Sequence, residues 1–301
     1  MADVPGETGV LLWDGFDHGG GSELPDLWAY RPGAGWTKRS EGITAPGADV
    51  FVYVPTAGRV VTLSVSGETW AYDPVNGGWE NRKAGFAPSV VGARVAYDSR
   101  ADRMIVFGGL PGDYTPGHFR PASSPTDETW AYDYKSNRWA QMHPKVSPPG
   151  RNFYALAYDE TSDRVILFGG TGDYDTVLGD TWAYDYSHDS WTEMSPPTAP
   201  SKRSFSQMAY DVARDRMVLF GGTDDGRGSG YARMRDTWTY DYDSNRWTEL
   251  KIPGPSARAY HMLAYDRESK QVVLFGGGGG PNDYDNQVWL FDSSKDTWTR
   301  G

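Results

Sequence analysis

Short apolar runs broken by polar turns recur along this chain, and the clearest unit lies between Arg151 and Met194. Phe153–Tyr158 alternates as a first strand, A, and Val165–Phe168 is a short apolar strand, B, ending in Gly169-Gly170. Thr181–Tyr184 reads as strand C and Ser190–Met194 as strand D. Period-two alternation and β-rich composition predict strands throughout, and no stretch has the 3.6-residue period of an amphipathic helix.

The turns between these strands carry their own chemistry. Between A and B, Tyr-Asp-x-x-x-Asp-Arg recurs at Tyr97, Tyr158 and Tyr210. An Asp opening a tight turn accepts hydrogen bonds from its own backbone two residues on. Between C and D one slot holds Asn137, Asp189, Asn245 and Asp296, with Gly77 in the second unit. Those residue types tolerate positive φ, so the slot is expected to be left-handed.

An aromatic pair marks each unit: Trp28/Trp36, Trp70/Trp79, Trp130/Trp139, Trp182/Trp191, Trp238/Trp247 and Trp289/Trp298. Successive first tryptophans are 42, 60, 52, 56 and 51 residues apart, a period expected of one small sheet repeated around a ring. The pattern resembles the kelch repeat. It has a double Gly after strand B, then Tyr or Phe two residues past a Trp, then a second Trp. Four units carry Phe-Gly-Gly in register, at Phe107, Phe168, Phe220 and Phe275, while Leu63-Ser64-Val65 and Trp13-Asp14-Gly15 replace it in the first two.

The resemblance implies an all-β, six-bladed β-propeller of four-stranded antiparallel blades, with strand A innermost. The expected blades are 1–40, 46–82, 90–143, 151–195, 203–250 and 258–301 of a single domain. Met1 aligns inside strand A of blade one, leaving most of that innermost strand unaccounted for. Either the chain is cut from a longer one, or Met1–Val4 forms a stub strand.

Composition narrows the function classes. At 301 residues the chain can bury roughly 75% of its unfolded surface. A net charge of −11 argues against a nucleic-acid or anionic-membrane binder. No apolar run approaches the ~20 residues of a membrane span, and the first residues lack a signal-peptide core. The absence of Cys excludes disulfides and thiolate chemistry. It also excludes the copper-radical cofactor of kelch-like sugar oxidases, which cross-link Tyr to Cys. Oligomeric state stays open, and the export of many bacterial kelch chains favours an extracytoplasmic location.

Antiparallel order puts the D–A and B–C connections on one face and the short A–B and C–D hairpins on the other. The B–C loops are long and unequal, from 18 residues at Leu110–Asp127 to two at Ser66-Gly67. Diverse loops on a rigid scaffold are where function concentrates. The site is therefore expected on that face, over blades three to five.

Arg151, Arg203 and Arg258 each precede strand A by the same offset, at the channel mouth on that face. Tyr154, Ser206 and His261 follow them. Pro46 and Val90 hold the Arg slot in blades two and three. Three guanidiniums suggest an acidic guest, unless each pairs with a neighbouring Asp or carbonyl. The resemblance favours a guest, since kelch proteins that bind peptides use comparable arginines.

Tyr174, Tyr231 and Tyr284 (with Tyr114) and His118 sit on the same loops and join the candidate set. Asp173, Asp175, Asp283 and Asp285 are weak calcium candidates, without the closing Glu of an EF-hand. No zinc set, Walker loop or nucleophile elbow is present. The reading favours a non-catalytic module holding a protein or small acidic ligand on the long-loop face, with no predicted cofactor. The alternative is an enzyme on a small anionic sugar, as six-bladed kelch proteins include sialic-acid epimerases.

Overall fold

A computed structural model of the chain describes every residue except 5–8, 14–15, 18–21, 24–25, 41–47, 65–66, 89, 116–117, 122–123, 225–231, 281–282 and 285. For 13, 16–17, 22–23, 40, 48–49, 90, 112–115, 118–121, 280 and 283–284 it describes the backbone alone. Six four-stranded antiparallel sheets form the blades of a propeller. Their innermost strands are Ala2–Val4, Ala48–Val54, Arg94–Asp98, Ala155–Asp159, Gln207–Asp211 and Ala259–Asp266. No α-helix occurs among the described residues; one 3-10 turn spans Asp173–Asp175.

Strand B of each blade is apolar on both faces because both faces are covered. In blade four, Val165 and Leu167 pack against blade three, while Ile166 and Phe168 pack against blade five. Each pair of neighbouring blades thus shares one hydrophobic cluster, and Val10 and Tyr30 of blade one meet Val273 and Leu290 of blade six in the last. That cluster closes the ring. Ala2–Val4 pairs with Gly9–Leu11 and lies between the innermost strands of blades six and two.

The tryptophans explain the period. The second Trp of a blade packs against the Phe-Gly-Gly phenylalanine of the blade before, as in Phe168–Trp247 at 5.0 Å and Phe275–Trp36 at 4.8 Å. In blades three to six its indole N–H donates to a Thr at the start of the previous strand C, as Trp191 does to Thr129 at 2.9 Å and Trp247 to Thr181 at 3.0 Å. In blades two to five the first Trp donates to an acid two residues earlier, as Trp182 does to Asp180.

Both turn expectations hold. Asp98 accepts from the N–H groups of Arg100 and Ala101, and Asp159 from those of Thr161 and Ser162. Asn137, Asp189, Asn245 and Asp296 have φ of 55°, 44°, 48° and 50°, and Gly77 has 75°. The hydroxyls of Tyr132, Tyr184 and Tyr240 donate to the first three, tying the hairpin back to strand C.

Three sequence boundaries shift. Strand A of blade four begins at Ala155 rather than Phe153, because Phe153 has φ 53° and breaks the extended run. Strands B and C run on to Arg164–Thr171 and Val177–Asp185, so this B–C loop is a paired hairpin rather than an irregular excursion. In blade three, Leu110–Thr115 and His118–Pro121 form a hairpin of their own, and Val90–Val91 pairs beside it.

Candidate site at the channel mouth

Arg151, Arg203 and Arg258 stand at the end of the ring that carries the B–C loops, and all three are buried. Arg203 donates from its side chain to Ser201 O, Gly221 O and both oxygens of Asp236, at 2.7 and 2.8 Å. Arg151 repeats the set with Pro149, Gly169 and Asp180. Arg258 donates to Ser256 and Gly276 O, where Gln287 holds the aspartate slot by register. Burial works to raise the Asp180 and Asp236 carboxyls, and the guanidinium bonds outweigh it, holding both below the ordinary value. The pairing with a neighbouring Asp or carbonyl, kept open from sequence, describes these arginines.

Their backbone does a second job. The Arg203 carbonyl accepts from Gly170 N–H of blade four at 2.8 Å, and Arg203 N–H donates to Leu178 O. The arginine therefore fastens its own blade to the one before. A Cβ on Gly169 would lie 2.6 Å from the Arg203 carbonyl and one on Gly170 2.8 Å from the Asn152 carbonyl, which is the physical reason for the double glycine.

Of the following residues, Tyr154 is buried; its hydroxyl accepts from Arg94 N–H at 2.9 Å and donates to Phe107 O. Ser206 and His261 occupy the same slot in blades five and six and are equally buried. The His261 ring meets Phe220 edge-on at 5.5 Å, and neither ring nitrogen makes a hydrogen bond of acceptable geometry. Burial first, and the Arg258 charge second, bring its pKa down to about 3, so the imidazole is neutral.

Sequence alternation missed the residues that form the mouth itself. Phe153, Phe205 and Tyr260, two places after the arginines, all have left-handed φ, at 53°, 54° and 61°. That turn reverses side-chain parity and aims the rings over the channel. Phe153 stacks on Phe205 at 4.2 Å, Phe205 meets Tyr260 at 4.3 Å, and the Arg233 guanidinium lies 5.4 Å over Tyr260. Phe153 N–H donates to Gly92 O and Phe205 N–H to Phe153 O, both at 2.8 Å, carrying a hydrogen-bond belt across blades three to five. Gly92 holds the same slot in blade three with φ 71°, and its glycine identity was the available sequence signal.

Below the arc the channel encloses a cavity of about 580 Å³. Its walls are graded. The first layer under the rings has Val50, Arg94, Gln207 and Met262; the next is apolar, with Val95, Leu156, Met208 and Leu263. Near the far mouth come Tyr97, Tyr158 and Tyr210, whose hydroxyls are taken by Asp102, Asp163 and Asp215. There Arg267 of blade six reaches both Asp3 of blade one and Glu160 of blade four. Burial, then the Asp266 charge, raises the Asp3 carboxyl to about 7.

The remaining candidates do not converge. Tyr174 is 98% exposed at the tip of the blade-four hairpin, beside exposed Asp173 and Asp175. Tyr231 and Asp285 lie outside the described residues, as do the side chains of His118, Tyr114, Asp283 and Tyr284. No group of three acidic or imidazole side chains suited to a metal ion occurs among the described residues.

The profile of the KLHDC2/KLHL20/DRC7 Kelch-repeats domain matches residues 114–301. The chain belongs to the kelch-repeat family. An F-box/kelch-repeat protein of Arabidopsis thaliana is 32% identical over 208 residues, covering 64% of this chain and 40% of that protein. Human Kelch domain-containing protein 10 is 24% identical over 221 residues, covering 70% of this chain and 48% of that one. The Dynein alpha chain, flagellar outer arm, of Chlamydomonas reinhardtii is 27% identical over 44% of this chain and 3% of its own length. The kelch chain thus spans less than half the length of each of these relatives.

Proposed function

We propose that this kelch propeller is an interaction module that docks a protein partner on the face bearing the B–C loops and the aromatic channel mouth. One observation carries the reading: the distribution of exposed large apolar side chains. Phe86, Val146, Tyr174 and Tyr260 lie on the D–A connections, B–C hairpins and mouth of that face, at 78%, 57%, 98% and 47% exposure. Only Val75 and Val212 among the described residues are comparably bare on the opposite face. Aromatic side chains with a polar rim are what protein interfaces enrich. The relatives give further support, because each carries the kelch segment as part of a longer chain.

Arg151, Arg203 and Arg258 hold the scaffold of this face rather than its guest, since their donors are used within the ring. Nothing at the mouth favours the sugar-enzyme alternative, because the neutral, buried His261 has no acid–base partner among the described residues.

The test is face-selective capture. Phe86→Asp with Tyr174→Asp alters the loop face, and Val75→Asp with Val212→Asp alters the other, all at exposed positions. Proximity labelling with the unaltered chain defines the partner set. Partners lost from the first variant and kept by the second support the docking face; equal retention by both overturns it.

A further inference from the structure

The mouth holds three bulky residues in a backbone conformation that L side chains rarely adopt. Left-handed φ at an aromatic residue costs on the order of 1–3 kcal/mol and persists only where the surroundings enforce it. Here it recurs in three consecutive blades, at Phe153, Phe205 and Tyr260, and the belt of backbone bonds locks the first two. An extended backbone at these positions would point the rings into the blade interfaces. The strain therefore serves the channel, building a continuous aromatic wall at its entrance.

The layer beneath that wall is chemically lopsided. Val50 and Met262 are apolar, and Gln207 offers one amide. The Met1 amino group lies against Met262 Sδ, and burial, then the Arg94 charge, lowers its pKa to about 5. That leaves Arg94, itself donating to Ala93 O, as the charged group of the layer at neutral pH. The other charged side chains of the channel wall, Asp3, Glu160 and Arg267, are tied together at the far mouth. The Arg94 charge acts within this space, since it is among the causes lowering the His261 pKa. A cavity of about 580 Å³ falls in the range that holds a small ligand, roughly 300–1,000 Å³. A sugar would need several donors and acceptors here, and this layer offers one amide, one neutral amine and one guanidinium.

We infer that the upper channel is a binding site for a flat aromatic anion, its ring against Phe153, Phe205 and Tyr260 and its acidic group directed to Arg94. The same chemistry can arrive as a free aromatic carboxylic acid or as neighbouring aromatic and acidic side chains of a docked segment. The site shares Tyr260 and the channel mouth with the proposed docking face and rests on that reading to this extent, whereas Phe86 and Tyr174 belong to docking alone, so free probes and face-selective capture fail independently.

Calorimetric titration of the intact chain with 2-naphthoate, 2-naphthylmethanol and acetate tests it. One 2-naphthoate is expected per chain, at least tenfold tighter than 2-naphthylmethanol, with no saturable acetate binding. Arg94→Gln is expected to abolish the preference for the acid and Arg94→Lys to keep most of it; Tyr260→Ala is expected to weaken both aromatic probes about tenfold. Thermal melts confirm that each variant is folded, and Arg94→Lys or a salt titration carries the charge test should Arg94→Gln not fold. Absence of saturable 2-naphthoate binding, or an acid preference that survives Arg94→Gln, overturns the proposal. The acetylated peptides Gly-Asp-Trp-Gly and Gly-Asn-Trp-Gly identify the source. A preference for the Asp peptide that Arg94→Gln removes assigns a partner segment; binding of 2-naphthoate alone assigns a free acid.

Discussion

The interface between blades four and five and the seam between blades six and one are built on the same apolar contact and differ in almost everything polar. Phe168 meets Trp247 at 5.0 Å in the first, and Phe275 meets Trp36 at 4.8 Å in the second. At the first, Trp247 also donates to Thr181 and Arg203 clamps Gly170. At the seam, Val288 stands in the Thr slot, so no hydroxyl waits there for the Trp36 indole. A Cβ on Gly169 would strike the Arg203 carbonyl at 2.6 Å; one on Gly276 meets no described atom within 4 Å. Apolar packing is thus enough to close the ring, and the polar fasteners are added between blades where the aligned Arg and Thr occur. At the far mouth of the seam Arg267 approaches Asp3, but burial of that carboxyl outweighs the contact.

Truncating the shared contact gives the largest expected effect. Phe168→Ala should cost about 4 kcal/mol in urea unfolding, because the ring is fully buried. Phe275→Ala should cost about half as much, since that ring is only partly buried. Equal losses would mean that the seam is as tightly packed as the regular interface. Next comes Arg203→Met, which strands Asp236 and the Gly221 carbonyl and should cost about 3 kcal/mol. A loss under about 1 kcal/mol would show that the arginine is not a fastener.

Glycine substitutions sharpen the comparison further. Gly169→Ala should lose about 2 kcal/mol and Gly276→Ala about 1, as only the first adds a backbone clash to the left-handed strain. Equal melting-temperature shifts would remove the clash argument.

The smallest effect has opposite signs at the two places. Asp236 has a lowered folded pKa, so its contribution is present above the ordinary carboxylate range and fades as pH falls through the folded value. Asp3 is raised to about 7 from an ordinary 3.8, so its ionisation costs stability above that range and the cost vanishes on acidification. Asp3→Asn should therefore gain about 1 kcal/mol near pH 8 and nothing near pH 4, whereas Asp236→Asn should lose stability at neutral pH. Unfolding curves for both variants across that window decide it, and a gain from Asp3→Asn that ignores pH would sink the assignment.

Much of this was legible in the residues. The tryptophan period, the Phe-Gly-Gly copies and the turn aspartates specify blades and hairpins because each acts over a few neighbouring positions, where alternation and φ preference decide the outcome. The sharing of faces followed from antiparallel order alone. The partners of Arg151 and Arg203 were harder. Asp180 and Asp236 lie 29 and 33 residues away across a hairpin, and sequence distance does not reveal which carboxylate a guanidinium meets. The mouth was harder still, since Phe153 reads as one more strand residue until its positive φ reverses parity.

The sequence by itself determined the repeated four-stranded unit, the number of blades and the chemistry of the A–B and C–D turns, since these are set by local conformational preference and short-range alternation. Only the tertiary structure decided that the arginines face inward to the ring, that three aromatic rings stack over the channel and that Arg94 stands beneath them. Those outcomes depend on which blades become neighbours, and burial in that shared interior fixes the partner of each charge and the direction of each ring.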